Sequence, residues 1–148
     1  MLFIFGCDDT LLVLEDGKVR RVFEETMAIL MYLRFNNHDV ALASHEDCAY
    51  EILKATGLDT FFTPNLIFGF DHVSKRPHLE GILLLSGYAP SDAVFFDNLE
   101  FHIKEAEAMG IRGYCADYLQ GLSLKTIMGI CGDVVDDVRK RHCGEAQT

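Results

Sequence analysis

The sequence predicts an α/β fold in which helices pack on a mostly parallel sheet. Short apolar runs alternate with longer amphipathic ones along the chain, the order expected of strand–helix repeats. Each apolar run is about five residues, the length of a strand buried on both faces. The 148 residues, 49% hydrophobic and 24% charged, suit one compact domain and leave no room for a second.

The first strand is expected at 2–7, where Leu2 to Phe5 are all apolar. Residues 11–22 then hold Glu15-Asp16-Gly17-Lys18, a turn signal between apolar residues, which predicts a small β-hairpin. A helix is expected over 23–36, with Met27, Leu30, Met31 and Phe35 at helical spacing and Asn36-Asn37 as the stop. The second strand (39–43) leads to a helix over 45–56, with Gly57 as its cap. A strand at 66–69 precedes a helix over 77–86, which carries Leu79, Ile82, Leu83 and Leu85 and ends at Gly87. A strand at 93–97, a helix over 99–109 ending in Gly110, and a strand at 112–116 complete the pattern. Met27, Met31, Phe95, Phe96 and Phe101 read as core. The domain is expected to span 1–130, with a short last helix and frayed tail over 131–148, where Arg139-Lys140-Arg141 reads as a solvated helix end.

A formal charge of -10 repels phosphate backbones and anionic lipid, so nucleic acid and membrane surfaces are not expected partners. No apolar run is long enough to span a bilayer, and the apolar start lacks the basic flank of a signal peptide. The five cysteines, Cys7, Cys48, Cys115, Cys131 and Cys143, are odd in number and lack metal-ligand spacing. They read as reduced thiols and point to a cytoplasmic setting.

Ligands of an open parallel sheet bind outside the carboxyl ends of its strands. The residues there are Gly6-Cys7-Asp8-Asp9-Thr10, Ser44-His45 and Asp97-Asn98, with Lys75 ahead of the third helix. A hydroxyl, a lysine and several carboxylates converging from separate segments are what a magnesium-dependent phosphoryl site requires. The hydroxyl donates to a phosphate oxygen, the lysine meets developing negative charge, and the carboxylates hold a hard cation. Ser44 can also cap the helix after it, since a helix N-terminus is itself a phosphate cradle. On the residues alone, His45 reads first as a first-turn surface residue, His78 as a packing histidine and Cys7 as a packed thiol on the opposite side of the strand from Gly6 and Asp8.

Phe3-Ile4-Phe5-Gly6-Cys7-Asp8-Asp9-Thr10, Ala41-Leu42-Ala43-Ser44, Ser74-Lys75-Arg76-Pro77-His78-Leu79 and Val94-Phe95-Phe96-Asp97-Asn98 resemble, in order and spacing, the four motifs of the haloacid-dehalogenase superfamily. The resemblance is to its small magnesium-dependent phosphatases without a large cap, and it covers about residues 2–130. It implies a Rossmann-like sheet, a hairpin flap in place of a cap domain, and chemistry through a phospho-aspartate. It also implies catalytic roles for Asp8, Thr10, Ser44 and Lys75, phosphate binding by Ser44, His45 and Lys75, and a Mg2+ site at Asp8, Asp97 and Asn98.

The sequence departs from that pattern where the chemistry is most demanding. Fixing the register of the Asp-x-Asp-x-Thr motif on Thr10 puts Asp8 at its second Asp and Gly6 at the nucleophile. Loss of a covalent nucleophile costs roughly 10⁴ to 10⁶ in rate in other hydrolases, or about 5–8 kcal/mol of barrier. Asn98 stands where the related phosphatases usually have a second Asp, so a weakened Mg2+ site is expected. The expected function is a degenerate phosphatase-like protein that binds phosphate, or a phosphorylated small molecule or protein, with little turnover. The alternative is a working Mg2+-dependent phosphatase with a substitute nucleophile, Asp8 in a shifted register among them, or a metal-held water.

Overall fold

The structure is a computed structural model and describes residues 1–132. In chain order the elements are β1 (Leu2–Phe5), β2 (Leu12–Glu15), β3 (Lys18–Val22), α1 (Thr26–Phe35), β4 (Asp39–Ser44), α2 (Ala49–Thr56), β5 (Ile67–Gly69), α3 (Arg76–Ser86), β6 (Ala93–Asp97), α4 (Glu100–Ala108), β7 (Arg112–Cys115) and α5 (Leu124–Ile130). The main sheet has five parallel strands in the order β5-β4-β1-β6-β7. The chain runs outward from β1 through β4 to β5, then returns to β6 on the other side. Ile4 pairs with Ala41 on one side and Phe95 on the other. This reversal of strand order opens the crevice at the carboxyl ends of β1 and β6, where such folds bind ligands.

Because side chains alternate along a strand, β1 feeds two cores. Phe3, Phe5 and Cys7 pack with α1, α2 and α5 on one face. Leu2 and Ile4 pack with Leu79, Ile82 and Ile103 of α3 and α4 on the other. β2 and β3 form the expected hairpin, and its turn residues Asp16 (φ 54°) and Gly17 (φ 74°) are both left-handed, as a tight Asp-Gly turn requires. The hairpin is fastened to the body at several points. Arg21 Nη2 donates to the Leu119 carbonyl (2.9 Å), and the Arg21 guanidinium lies 5.0 Å from the Phe23 ring centroid. Beside it, Thr26 Oγ1 donates to the Leu11 carbonyl (2.7 Å), and Leu124 N donates to Glu25 Oε1 (2.8 Å).

The expected strands all form, and Gly57 (φ 77°) and Gly87 (φ 77°) cap α2 and α3 in the left-handed conformation. Several expectations need correction. α1 begins at Thr26, not residue 23, and buries Thr26, Ile29, Leu30 and Leu33. Met27 and Met31 are 40% exposed and Phe35 is 80% exposed. The helix carries two apolar stripes at helical spacing, and at roughly 100° per residue the Met27-Met31-Phe35 stripe lies on the solvent side. Phe101 and Leu85 are exposed as well, whereas Phe95 and Phe96 are fully buried. α2 begins at Ala49, not at residue 45, because Ser44 Oγ accepts from Glu46 N (3.1 Å) and holds the intervening residues in a turn. Ser44 is therefore a turn residue and not the cap of α2. α5 was not expected; Ser123 caps it, accepting from Thr126 N (3.0 Å). The last helix and tail expected over 131–148, with Arg139-Lys140-Arg141 and Cys143, fall almost entirely outside the described residues, and Cys131 itself ends α5.

Candidate functional site

Three of the four polar segments meet at the carboxyl edge of the sheet because β1, β4 and β6 are adjacent and parallel. A cavity of about 330 Å³ opens there, lined by Asp8, Asp9, Ser44, Lys75, Asp97 and Asn98. His45, Glu46 and His102 also line it, together with Cys7 and Leu99. Thr10 is not part of that lining. It is fully buried behind the loop, and its Oγ1 has no hydrogen-bond partner.

Asp97 is the electrostatic centre of the site. It is 1% exposed, and its Oδ2 accepts from Lys75 Nζ at 2.6 Å. Its Oδ1 accepts from the backbone N–H groups of Asn98 (2.7 Å) and Leu99 (3.3 Å). His102 Nδ1 lies 3.3 Å from Oδ2, a close electrostatic contact without the alignment of a hydrogen bond. Burial by itself would raise the Asp97 pKa, but His102 and the Lys75 ammonium outweigh it and hold the carboxyl below its usual range. Lys75 is held from behind, its backbone N–H donating to Glu105 Oε1 at 3.1 Å.

Gly6 sits directly beside this ion pair. A Cβ there would stand 3.0 Å from Asp97 Oδ2 and 3.1 Å from Lys75 Nζ. Its φ is not in the left-handed region, so its role is space and not backbone freedom. Asp8 follows on the exposed side, where its Oδ1 accepts from Leu14 N of the hairpin (2.8 Å). Asp9 is left-handed (φ 60°), and burial first, then the Asp8 charge, raises its pKa. Cys7 faces the core, 1% exposed, and burial pushes its thiol up to about 12, which fits a packed, inert sulfur.

His45 Nε2 donates to the Ser74 carbonyl (3.3 Å), and its ring lies 5.2 Å from those of both His78 and His102. His78 stacks on Phe70 (3.8 Å between centroids) and donates through Nε2 to the Phe70 carbonyl (2.8 Å). Burial lowers the pKa of His45 and of His78, which favours the neutral form of both rings.

Motif reading missed His102 and Glu105. Both lie on the helix after Asp97, spaced i, i+3 and so on one face, which is the only signal the sequence offers for them.

No family model matches the sequence, and no curated protein matches it. Solved structures do match its fold. A haloacid-dehalogenase phosphatase from Thermococcus onnurineus aligns at TM-score 0.66 and 18% identity, covering 76% of this chain and 59% of that one. A haloacid-dehalogenase-superfamily hydrolase of subfamily IA from Geobacter sulfurreducens aligns at TM-score 0.62 and 14% identity, covering 78% and 88%. An uncharacterized protein from Listeria monocytogenes aligns at TM-score 0.65 and 12% identity, covering 82% of each chain. This chain thus has a haloacid-dehalogenase-like fold, and it spans less than two thirds of the Thermococcus phosphatase.

Magnesium is the metal that the motif resemblance implies, and the residues present do not fit it. Mg2+ wants near-octahedral oxygen ligation with one or two free carboxylates. Both Asp97 oxygens are already engaged, Asp8 is bonded to the hairpin, Asn98 carries no charge, and residue 6 has no side chain. Among the described residues no group of three or more His, Cys, Asp or Glu side chains is arranged to hold a metal ion.

Proposed function

We propose that this protein binds phosphate, or a phosphorylated small molecule or protein, on a phosphatase fold with little turnover. The observation that carries the reading is the end of β1, where Gly6 offers no attacking atom and the Lys75–Asp97 pair closes over the gap. Phosphoryl transfer needs an aligned nucleophile, and without one only the binding elements remain. Those elements are the Ser44 hydroxyl, the Lys75 ammonium and the turn at Ser44-His45-Glu46, which share one cavity. An ammonium has three donors and Asp97 takes one, which leaves others for an anion.

Turnover of an aryl phosphate by the purified chain, with and without magnesium, tests this. A rate above about 0.1 s⁻¹, one to four decades below typical enzymes, that is lost in Asp8→Asn would refute it. That result would support the alternative of an active phosphatase, for which the exposed Asp8 at the cavity mouth is the available carboxylate.

A further inference from the structure

Magnesium-dependent phosphoryl sites hold two kinds of positive charge, a metal ion and a lysine, against several carboxylates. Here one carboxylate is central and one cation sits on it at 2.6 Å. The pair is buried, with side chains 7% and 1% exposed, and the opposite oxygen of Asp97 is filled by backbone donors. The neighbouring residue leaves this contact uncrowded. Any side chain at position 6 would begin 3.1 Å from Nζ and 3.0 Å from Oδ2, inside the distance at which atoms pack without displacement. Gly6 and the ion pair are therefore adjacent by construction: the glycine offers no carboxylate of its own and leaves Lys75 Nζ and Asp97 Oδ2 uncrowded, where a Cβ would make both give by a few tenths of an ångström.

The geometry points to the Lys75 ammonium as the resident cation of this site, standing on Asp97 where a divalent ion would have to bind and making the site metal-independent. Its location rests on the site just assigned to phosphate, but the claim concerns the cation, not the ligand. A Mg2+ ion would have to strip Asp97 Oδ2 from both Lys75 and His102, leaving a buried ammonium without its partner. To offset the loss a second carboxylate would have to join Asp97, and Asp8, the cavity-lining candidate on β1's loop, has its Oδ1 held by Leu14 N. The ligand of such a site is a phosphoryl or similar oxyanion taken up as the free anion, not as its magnesium complex. Asp8, Asp9 and Glu46 also face the cavity and oppose it, so millimolar affinity is expected.

The test is calorimetry and thermal melting of the intact chain with magnesium alone, and with tungstate as the phosphate probe in EDTA or in magnesium at matched ionic strength. In the wild type, about 10 mM Mg2+ should give no binding heat and no rise in Tm, and tungstate affinity should agree within about twofold between the two conditions. Lys75→Ala, or Lys75→Gln if alanine does not fold, should gain a Mg2+-dependent rise in Tm because Asp97 is then free for a metal.

Submillimolar Mg2+ binding by the wild type overturns the inference. So does a tenfold gain in tungstate affinity with magnesium, although that result would leave the phosphate-binding reading standing. Folded Lys75 variants that remain indifferent to magnesium also overturn it, since the ammonium would then not be what excludes the metal. If tungstate binds in neither condition while Mg2+ binds only the Lys75 variant, phosphate binding is refuted and the resident-cation assignment is upheld.

Discussion

Gly6→Asp tests whether a carboxylate at the end of β1 makes the site take up a metal beside Lys75. The new Cβ meets Asp97 Oδ2 at 3.0 Å and Lys75 Nζ at 3.1 Å, so both must yield by a few tenths of an ångström. Both are side-chain ends and not backbone, which keeps the steric cost near 1–2 kcal/mol. The added carboxylate would lie about 4 Å from Asp97, where like charges repel by about 4 kcal/mol at an effective dielectric of 20. Lys75 can bridge the two and offset most of this. A net loss of about 1–3 kcal/mol is expected in EDTA, which lowers Tm by about 3–10 °C. Magnesium should then bind between the carboxylates, and at a hundredfold excess over its Kd it returns about 2.7 kcal/mol. Paired melting curves of wild type and variant, in EDTA and in magnesium, measure this directly. Aryl phosphatase activity should appear in the variant and vanish again when Asp8→Asn is added. A variant that folds by circular dichroism yet gains neither magnesium dependence nor activity would show that Gly6 is not the nucleophile position.

Asp97→Asn strands a buried ammonium and should cost about 3–5 kcal/mol, read from urea denaturation midpoints. At the opposite edge of the sheet, Asp39 accepts from Tyr88 Oη (2.6 Å) and Thr63 Oγ1 (3.0 Å) and pairs with Arg34. Burial would raise its pKa, but these partners outweigh burial and lower it. Its contribution is therefore present above the unfolded carboxyl range and fades as pH falls toward the depressed folded value. Tm followed from pH 6 to pH 2 should show a shallower acid decline in Asp39→Asn than in wild type. Cys7 should resist a thiol reagent at pH 8 while the exposed Cys48 and Cys115 react, so Cys7→Ser should leave the fast-reacting thiol count unchanged.

The strands were legible because each is an apolar run too short for a helix, and their carboxyl ends located the polar residues. The buried face of α1 was not, since Met27-Met31-Phe35 and Ile29-Leu30-Leu33 both recur at helical spacing. Only the sheet beneath chooses between them. Gly6 was legible as a residue without a side chain at the end of the first strand, but its closeness to Lys75 and Asp97 was not. Motif spacing names the residue types at a site, whereas the partner an ammonium selects depends on the volume left by its neighbours. His102 and Glu105 escaped for the same reason: His102 meets Asp97 only through the turn from β6 into α4, and Glu105 meets Lys75 only when α4 packs beside α3.

The fastening of the hairpin bears on how a ligand arrives. Asp8 ties its first strand to the site, Arg21 ties its second strand to Leu119, and Thr26 anchors the loop between β1 and β2. To swing as a gate the segment would have to break all three of these hydrogen bonds. Entry and exit should then proceed at rates set by diffusion and local charge, with no slow opening step before binding. A phosphorylated side chain projecting from a large, folded partner could be received as readily as a free metabolite, because nothing must close over it.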